Sequence, residues 1–425
     1  MTAPTLPPVD TPAHRLDPYP LFARLREHAP VHWDPARRSW YVSRYDDVAE
    51  LLLERRLGAH DDAEWMKELP EDEHAVIAPV EDHLARWPVF SDRPAQAAVR
   101  RLLQPALTRG AVAPFADGIR ADARALAAAL PDGPCDLLTD FARPAAVRTV
   151  TRLLGAPAQE AGALLEEWSD RLIAYLGHSG ADAGLARAAA PAVAGLTDFV
   201  LGELLPAASG PVAIQLARAL DEEGVSAADV VAMVAQLVTG GIEPMATATC
   251  VAALRPPPPA TPCGHDLPAW SEETVTTALR LDPPFHYAPR EVKADFDFRG
   301  HRLRTGQRVV LLLASAGHDT SGPPRQPGTC PVTGSGAGGA VTASGTGAGR
   351  HLAFGKGRHF CLGAPLALLH LRVVLEELQQ AGVLGRVDRG GVVREPVLSI
   401  TSFARFPLGP RPAAVSAAGA GPAAR

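Results

Sequence analysis

The feature that most constrains this chain is a glycine-rich segment around Cys361 that leads into a helical stretch. From Phe354 to Gly363 it reads FGKGRHFCLG, and apolar residues at helical spacing follow from Pro365. Because proline is favoured in a first helical turn, the sequence predicts that a helix begins near Pro365. Cys361 then faces unpaired backbone N–H groups and the positive end of the helix dipole, and both lower the pKa of a thiol.

These residue types suit the binding of a metal ion by a thiolate. Gly355, Gly357 and Gly363 permit a tight turn and a close approach of the backbone to a flat ligand. Backbone N–H groups near the sulfur then hydrogen-bond to it and tune a bound iron. A Cys-x-Gly sequence alone is more often a buried cysteine in a strand-to-helix turn. The full pattern Phe-Gly-x-Gly-x-His-x-Cys-x-Gly is much rarer by chance.

This pattern resembles the signature of the cytochrome P450 superfamily, and every fixed position of the signature is matched. The resemblance extends over nearly the whole chain. It implies a haem-thiolate monooxygenase of the soluble bacterial type, with Cys361 as the metal ligand and b-type haem as the cofactor. The implied fold is a single domain over residues 1–410, mainly α with small peripheral β-sheets, followed by a disordered tail over 411–425.

Hydrophobic periodicity also indicates a mainly α chain. The predicted helices are Pro20–Glu27, Val99–Leu107, Gly118–Leu130, Glu160–Leu172, Ala186–Leu204, Ala227–Leu254 and Pro365–Ala381. The predicted strands are Trp40–Ser43, Phe296–Phe298, Arg302–Arg304, Arg308–Leu313, Val397–Thr401 and Phe403–Pro407. Four consecutive prolines within Arg255–Gly264 end a helix, and Thr320–Gly349 has the composition of a surface loop.

Composition excludes several classes of protein. Hydrophobic residues make up 47%, charged residues 21%, and the formal net charge of −6 gives no sign of a nucleic-acid or membrane partner. We see no apolar run approaching the ~20 residues that span a bilayer and no secretory signal, so a cytoplasmic protein is expected. The five cysteines are far apart, which argues against a disulfide framework.

The resemblance assigns further residues to the haem. Arg100 and Arg290 match arginines that pair with the haem propionates, and His359 matches a third partner. Buried propionates need such partners, because unpaired buried carboxylates are costly. Gln96 stands where many relatives have histidine and can still donate a hydrogen bond. The remaining predicted cofactor contacts are Phe354, Gly355, Gly363 and Gly240.

Two motifs depart from the family pattern. Where the helix over the haem usually has an acid followed by threonine, this chain has Glu243 and Pro244, which we predict as catalytic positions. In the family that hydroxyl helps to deliver protons during oxygen activation, and proline also leaves the carbonyl of Gly240 without its helical partner. The expected Glu-x-x-Arg motif reads Thr277 to Arg280, so its glutamate is missing.

In the family the glutamate–arginine pair of this motif joins an arginine from a later proline-rich meander, which is not recognisable here. Thr320–Gly349 occupies its place, with Arg325 as a weak substitute. An arginine that loses its carboxylate when buried costs about 3–5 kcal/mol unless it finds another acceptor, and Glu272 and Glu273 are candidates.

The resemblance implies oxidation of a small hydrophobic substrate, in secondary metabolism by analogy, with unusual proton delivery or an oxidative coupling or rearrangement. Electrons would come from a ferredoxin and a ferredoxin reductase, docked near Arg101, Lys356 and Arg358, and a monomer is expected. The alternative is a catalytically degenerate homologue that binds or activates another enzyme. Candidate lining residues are Trp87 to Phe90, Gly240 to Met245, Phe285 to Ala288, Ser402 and Phe403.

Overall fold

The computed structural model describes residues 8–59, 69–92, 94–156, 158–176, 182–220, 225–255, 270–320 and 351–411. Helices dominate these residues and the sheets are small, so the predicted fold class is confirmed. The proline stretch after Arg255, the low-complexity segment to Gly349 with Arg325, and the predicted tail after Arg411 lie outside the described residues.

The helices are distributed along the chain from Pro12 to Gln380. They are α1 Pro12–Leu16, α2 Tyr19–His28, α3 Tyr45–Leu51, α4 Glu71–Ala85, α5 Ala95–Leu103, α6 Arg109–Val112, α7 Ala116–Ala129, α8 Arg143–Leu154, α9 Ala158–Leu176, α10 Ala183–Phe199, α11 Pro211–Leu220, α12 Ala227–Ala253, α13 Glu272–Leu281, α14 Leu313–Gly317 and α15 Ala364–Gln380. Single wider turns, Leu138–Ala142 and Val200–Leu204, precede α8 and extend α10.

The strands are short and form one mixed sheet and three two-stranded sheets. They are β1 Val31–Asp34, β2 Ser39–Val42, β3 Leu57–Gly58, β4 Cys135–Asp136, β5 Ala288–Val292, β6 Phe296–Phe298, β7 His301–Leu303, β8 Arg308–Leu311, β9 Val393–Arg394, β10 Phe403–Arg405 and β11 Pro407–Leu408. The five-stranded sheet has the order β1-β2-β8-β5-β3, and only its β2–β8 pair is parallel. The other sheets pair β9 with β10, β4 with β11, and β6 with β7.

The main core lies between α7, α8, α12 and α15, whose apolar faces pack on one another. Local sequence explains where α12 begins, because Ser226 and Asp229 form a reciprocal capping box at its first turn. At the end of α8, Gly155 has φ +75°, and a side chain there would collide with the backbone of Gly210. The capping box thus sets the start of α12, and the glycine pair sets the end of α8.

Two sequence expectations need correction. Val397–Thr401 is not a strand, because its backbone makes only an isolated bridge, from Ile400 to Phe285. Two helices, Ala183–Leu204 and Ala227–Ala253, are long and apolar enough to cross a membrane, which we did not expect from the sequence. The second of them is the core helix α12, and 67% of its most apolar window is buried inside the protein.

Candidate active site

The loop before α15 is closed by its own backbone. The Cys361 N–H donates to the carbonyl of Phe354 at 2.9 Å, and the Gly355 N–H donates to that of Leu352 at 2.8 Å. Gly355 and Gly357 have φ of +68° and +70°, a region that only glycine enters without strain. The predicted tight turn is therefore present, and the loop presents Cys361 at the start of α15.

The sulfur of Cys361 lies at the N-terminus of α15, as predicted. It accepts the backbone N–H groups of Gly363 and Ala364, and the guanidinium of Arg100 lies close enough to act on it. Burial nevertheless raises the pKa of the thiol, and these three groups offset only part of that rise. The expectation of a lowered thiol pKa is thus wrong for the protein alone, because desolvation outweighs the helix terminus.

Gly363 differs from the two other loop glycines. Its φ of −77° is ordinary, and a side chain at that position would lie 3.8 Å from the sulfur of Cys361. Its contribution to the loop is the N–H that it offers to the sulfur and not a special backbone conformation. The turn at Gly363 therefore does not require a glycine, and the close approach of its backbone to a flat ligand stays a prediction.

Several predicted haem contacts surround the cysteine loop. Arg100 donates through Nη1 to the carbonyl of Phe360 at 2.7 Å, and buried Gln96 donates to the carbonyl of Arg358. A cavity of about 250 Å³ lies beside them, lined by Gln96, Ala97, Arg100, Arg101, Gln104 and Arg358. The helix α5 therefore brings both of its predicted residues to the cysteine loop.

Arg290 reaches the same region from β5. It is 6% exposed, and its Nη1 donates only to the neighbouring carbonyl of Pro289. Across the described part of the chain, no carboxylate lies within ion-pair distance of Arg290. Burial, and then the charge of Arg358, lower its pKa to about 10. A buried cation without an anion is costly, so this position calls for a negatively charged ligand.

His359 and Asp92 complete the charged surroundings. His359 Nε2 is buried without a hydrogen-bond partner. Asp92 Oδ1, which lies 3.8 Å from it, is also buried without a hydrogen-bond partner. Asp92 Oδ2 accepts the N–H of Ala59 at 2.9 Å. The sequence analysis missed Asp92. Its position only four residues before Gln96 was the available signal.

Glu243 of α12 lies in a charged cluster with Arg143 of α8. Its Oε2 accepts from Arg143 Nη2 at 2.9 Å, and its Oε1 lies 3.4 Å from the hydroxyl of Thr247. Arg143 also pairs with Asp170 at 3.1 Å and approaches Glu166 at 3.9 Å. Burial raises the pKa of Glu243, and Arg143 opposes that rise. Arg143 is a second residue that the sequence analysis missed.

The glycines before Glu243 face different surroundings. A side chain at Gly240 would meet no atom within 4 Å, whereas one at Gly241 would come within 2.8 Å of Val150 on α8. Gly240 therefore borders open space and Gly241 a helix crossing. The helix remains continuous through Pro244, although Pro244 removes the N–H that would reach Gly240.

Arg280 has a backbone carbonyl among its partners. It donates through Nη1 to Gly317 O, and Gly317 lies so close that a Cβ there would stand 1.8 Å from the carbonyl oxygen of Arg280. Glu272 does not serve Arg280, because both of its carboxylate oxygens bind Arg109, at 2.6 and 2.9 Å.

The candidate lining residues divide into exposed and buried ones. Phe285 and Val89 are 41% exposed, and the Val89 N–H donates to Gln236 of α12 at 3.2 Å. Trp87 and Phe403 are instead buried in the core. Phe285 and Val89, together with Gly240, are the candidates that offer surface to a ligand.

Comparison with known proteins assigns the chain to a family, although no protein-family model matches it. A vitamin D(3) 25-hydroxylase from Pseudonocardia autotrophica is 29% identical over 370 residues, 85% of each chain. The cytochrome P450 monooxygenase PikC from Streptomyces venezuelae is 26% identical over 378 residues, 85% of this chain and 83% of the relative. The crystal structure of CalO2 is 25% identical, with a TM-score of 0.76 over 96% of this chain and 99% of CalO2. The chain belongs to the cytochrome P450 superfamily.

The fold and the chemistry of the site agree with this assignment. The epothilone D-bound cytochrome P450epoK, at 20% identity, matches the fold with a TM-score of 0.78 over 97% of this chain and all of the other. As a P450 the chain is a haem-dependent oxidoreductase with b-type haem as its cofactor, which confirms both expectations from the sequence.

The residues present fit a haem. A thiol lies between two backbone N–H groups, and Arg290 is a buried cation without a carboxylate. His359 Nε2 is a buried polar atom without a partner, and Gly240 borders open space. A metal ligand and cations for the two propionates are the groups that this cofactor requires. Cys361, Arg100, Arg290 and His359 are therefore the residues that would hold it.

Proposed function

We propose that this P450 is a monooxygenase that oxidises a small hydrophobic organic molecule in secondary metabolism. The observation that carries the proposal is the sulfur of Cys361, which two N–H groups and Arg100 surround at the start of α15. When bound, thiolate-ligated haem supplies the activation of dioxygen. Relatives named vitamin D(3) 25-hydroxylase and linalool 8-monooxygenase support a class of apolar organic substrates.

The substrate would bind between α12 and the segment before β5. Phe285 and Val89 offer apolar surface, and the absence of a side chain at Gly240 leaves room next to the central helix. Apolar walls with few polar groups are typical of sites for small organic ligands. This lining supports hydrophobic contacts as the main source of binding energy, with hydroxylation, coupling or rearrangement as the outcome.

Proton supply would run through Glu243 and not through a hydroxyl at position 244. Glu243 Oε2 binds Arg143, and Arg143 binds Asp170, whose side chain is 50% exposed. These contacts hold the Glu243 carboxyl in place at the middle of α12, and Arg143 acts through its charge, because a guanidinium has no atom that accepts a proton. A buried carboxyl with a raised pKa is suited to holding and releasing a proton. The Thr247 hydroxyl, 3.4 Å from Oε1, offers the next position for that proton.

Electrons would come from a ferredoxin and its reductase. Arg100, Arg101 and Arg358 line the cavity beside the cysteine loop, and their positive charge suits an acidic electron carrier. Lys356 lies on the same loop. The protein would act as a monomer in the cytoplasm.

A second candidate function is a degenerate P450 that binds or activates another enzyme. The missing glutamate of the Glu-x-x-Arg motif favours it. The hydrogen bond from Arg280 to Gly317 opposes it, because the arginine still has a buried acceptor. The buried Arg290 also opposes it, since no carboxylate among the described residues pairs with it and the nearby charge of Asp92 offsets only part of its burial.

The ferrous–CO spectrum of the purified protein tests the proposal. The wild-type protein is expected to hold haem and to show the thiolate signature, and Cys361→Ala is expected to lose it. Cys250→Ala is the matched control, since Cys250 is fully buried on α12 away from the loop. A wild-type protein without haem would favour the degenerate alternative, and a thiolate signature that survives Cys361→Ala would overturn Cys361 as the ligand.

A further inference from the structure

A buried polar cluster lies directly behind Phe285. Asp282, His286 and Thr401 are 5%, 2% and 3% exposed. They come from the end of α13, from the segment before β5 and from the segment before β10. Burying a carboxylate, an imidazole and a hydroxyl together requires that they satisfy one another.

The hydroxyl of Thr401 is the centre of this cluster. It lies 2.8 Å from His286 Nε2, 3.0 Å from Asp282 Oδ1 and 3.2 Å from the carbonyl oxygen of Pro283. The other ring nitrogen, His286 Nδ1, lies 2.9 Å from the carbonyl oxygen of Leu398 and must donate to it, since a carbonyl only accepts. Both ring nitrogens are therefore occupied by the C-terminal segment.

The backbone holds the same two segments together. The Thr401 N–H donates to Pro284 O at 2.8 Å, the His286 N–H donates to Ser399 O at 2.9 Å, and Phe285 forms an isolated bridge with Ile400. Phe285 thus lies between two anchored neighbours. Its own side chain is 41% exposed, although His286 beside it and Thr401 on the other segment are buried.

The segment that carries Phe285 runs directly into the haem region. Strand β5 begins at Ala288, and it carries Arg290, whose charge acts on His359 of the cysteine loop. A strand rises about 3.3 Å per residue, so Phe285 lies within about 17 Å of Arg290 along the chain. A displacement of this segment would therefore move the side chain of Phe285 relative to the haem region.

We propose that Thr401 and His286 are positioning residues that hold Phe285 as a wall of the ligand site. The proposal rests on the proposed function, because it presumes that a ligand binds over the haem. A rotation of Phe285 would change the shape of the proposed substrate site without any change at the cysteine loop. Thr401 would therefore govern the binding of ligands that reach the wall and leave smaller ligands unaffected.

The outer half of the cluster supplies a matched control. The Tyr19 hydroxyl donates to Asp282 Oδ1 at 2.7 Å from α2, and Arg394 binds Asp282 Oδ2. Tyr19→Phe removes one hydrogen bond from the same carboxylate oxygen that Thr401 contacts. Neither of the two segments around Phe285 loses a contact of its own in that variant.

The experiment is a spectral titration of the haem-loaded protein with two probes. Imidazole is the smaller probe, whereas 4-phenylimidazole adds a phenyl ring that would reach Phe285 if Phe285 is a wall of the ligand site. For Thr401→Val, the dissociation constant of 4-phenylimidazole relative to imidazole is expected to rise roughly five- to tenfold, the size of one lost hydrogen bond. Thr401→Ser is expected to restore the ratio, and Tyr19→Phe to leave it at the wild-type value.

Phe285→Ala provides a second route that does not depend on the folding of Thr401→Val, because the side chain is largely exposed. It is expected to weaken 4-phenylimidazole selectively. An unchanged ratio in Phe285→Ala, or an equal change in Thr401→Val and Tyr19→Phe, overturns the proposal and leaves the proposed function standing. A wild-type protein that gives no spectral change with imidazole overturns the proposed function as well.

Discussion

The cysteine loop and the central helix meet the haem region from different directions, and they tolerate change differently. The loop is built from backbone: glycines with positive φ, N–H groups aimed at Cys361, and carbonyls that receive Arg100 and Gln96. Around α12 and α13 the site residues are instead held in place by pairs of side chains, such as Glu243 with Arg143.

This difference explains why one motif is intact and others are altered. A backbone conformation depends on the residue at that position, so Gly355 and Gly357 have few replacements. A side-chain partner can be supplied from elsewhere, as when Gly317 O accepts a hydrogen bond from Arg280, whose motif lacks its glutamate. Sequence departures around α12 and α13 are therefore weak grounds for inferring a lost function.

The largest effect is expected where the replacement contact is tightest. Gly317→Ala would place a Cβ 1.8 Å from the carbonyl oxygen of Arg280, and α13 and α14 would have to separate. The free energy of unfolding, measured by urea denaturation, is expected to fall by about 3 kcal/mol. Gly202→Ala is the control, since a Cβ there meets nothing within 4 Å. Equal stability of the two variants would show that the Arg280–Gly317 contact does not replace the lost pair.

Arg290→Met tests the haem region next to the cysteine loop. It is expected to weaken the binding of haem and to stabilise the haem-free protein. Loss of a charged hydrogen bond to a propionate, about 1.5–3 kcal/mol, is expected to speed haem transfer to apomyoglobin roughly ten- to a hundredfold. The haem-free variant is expected to be more stable than haem-free wild type, because a buried cation without a carboxylate has been removed. Arg302→Met, on exposed β7, should change neither; a slower or unchanged haem loss from Arg290→Met would exclude a propionate contact.

His370 joins the cysteine-bearing helix to α8, and its contribution depends on pH. Its Nδ1 lies 2.9 Å from the hydroxyl of Thr149, and burial lowers its pKa to about 3, from 6.5. The folded state therefore holds the ring neutral, so its contribution is complete above pH 6.5 and is lost as the pH falls toward 3.

The slope expected from one such histidine is about 1.4 kcal/mol per pH unit in that window. In urea denaturation between pH 7 and pH 4, His370→Leu should lose stability less steeply than wild type. Parallel curves for the two proteins would mean that His370 is protonated in the folded state.

The smallest effect is expected at Pro244. Pro244→Thr restores both a backbone N–H toward Gly240 and a hydroxyl next to Glu243. If the added hydroxyl contributes about 0.5 kcal/mol to proton delivery, the fraction of reductant lost as hydrogen peroxide should fall roughly twofold. Pro244→Ala restores only the N–H and separates the two contributions. Unchanged or higher peroxide release in Pro244→Thr would show that the missing hydroxyl does not limit the reaction.

The sequence predicted the cysteine loop and the fold class because both depend on local information. Gly355, Gly357 and Cys361 are adjacent, and long helices such as α12 repeat their apolar face every turn. Helices α4 and α8 were not predicted. In α4 the interior Pro79 is a helix-breaking signal, whereas the proline of α8 lies in its first turn and does not explain the omission.

The partners of the site residues could not be predicted because they are distant in sequence. Arg143 and Glu243 are 100 residues apart, and His286 and Thr401 are 115 apart. The direction of the Cys361 pKa was wrong for a related reason. A helix terminus is visible in the sequence, whereas the burial that outweighs it depends on the packed chain.

The parallel pairing of β2 with β8 has a consequence for biosynthesis. Ser39 pairs with Arg308, so the N-terminal hairpin has no third strand until most of the chain has left the ribosome. At 5–20 residues per second this delay is on the order of tens of seconds. During that interval Trp40 and Val42 lack their β8 neighbours, and Cys361 has not been synthesised. The chain can therefore bind haem through Cys361 only late in its synthesis, and chaperones have time to bind the nascent chain before then.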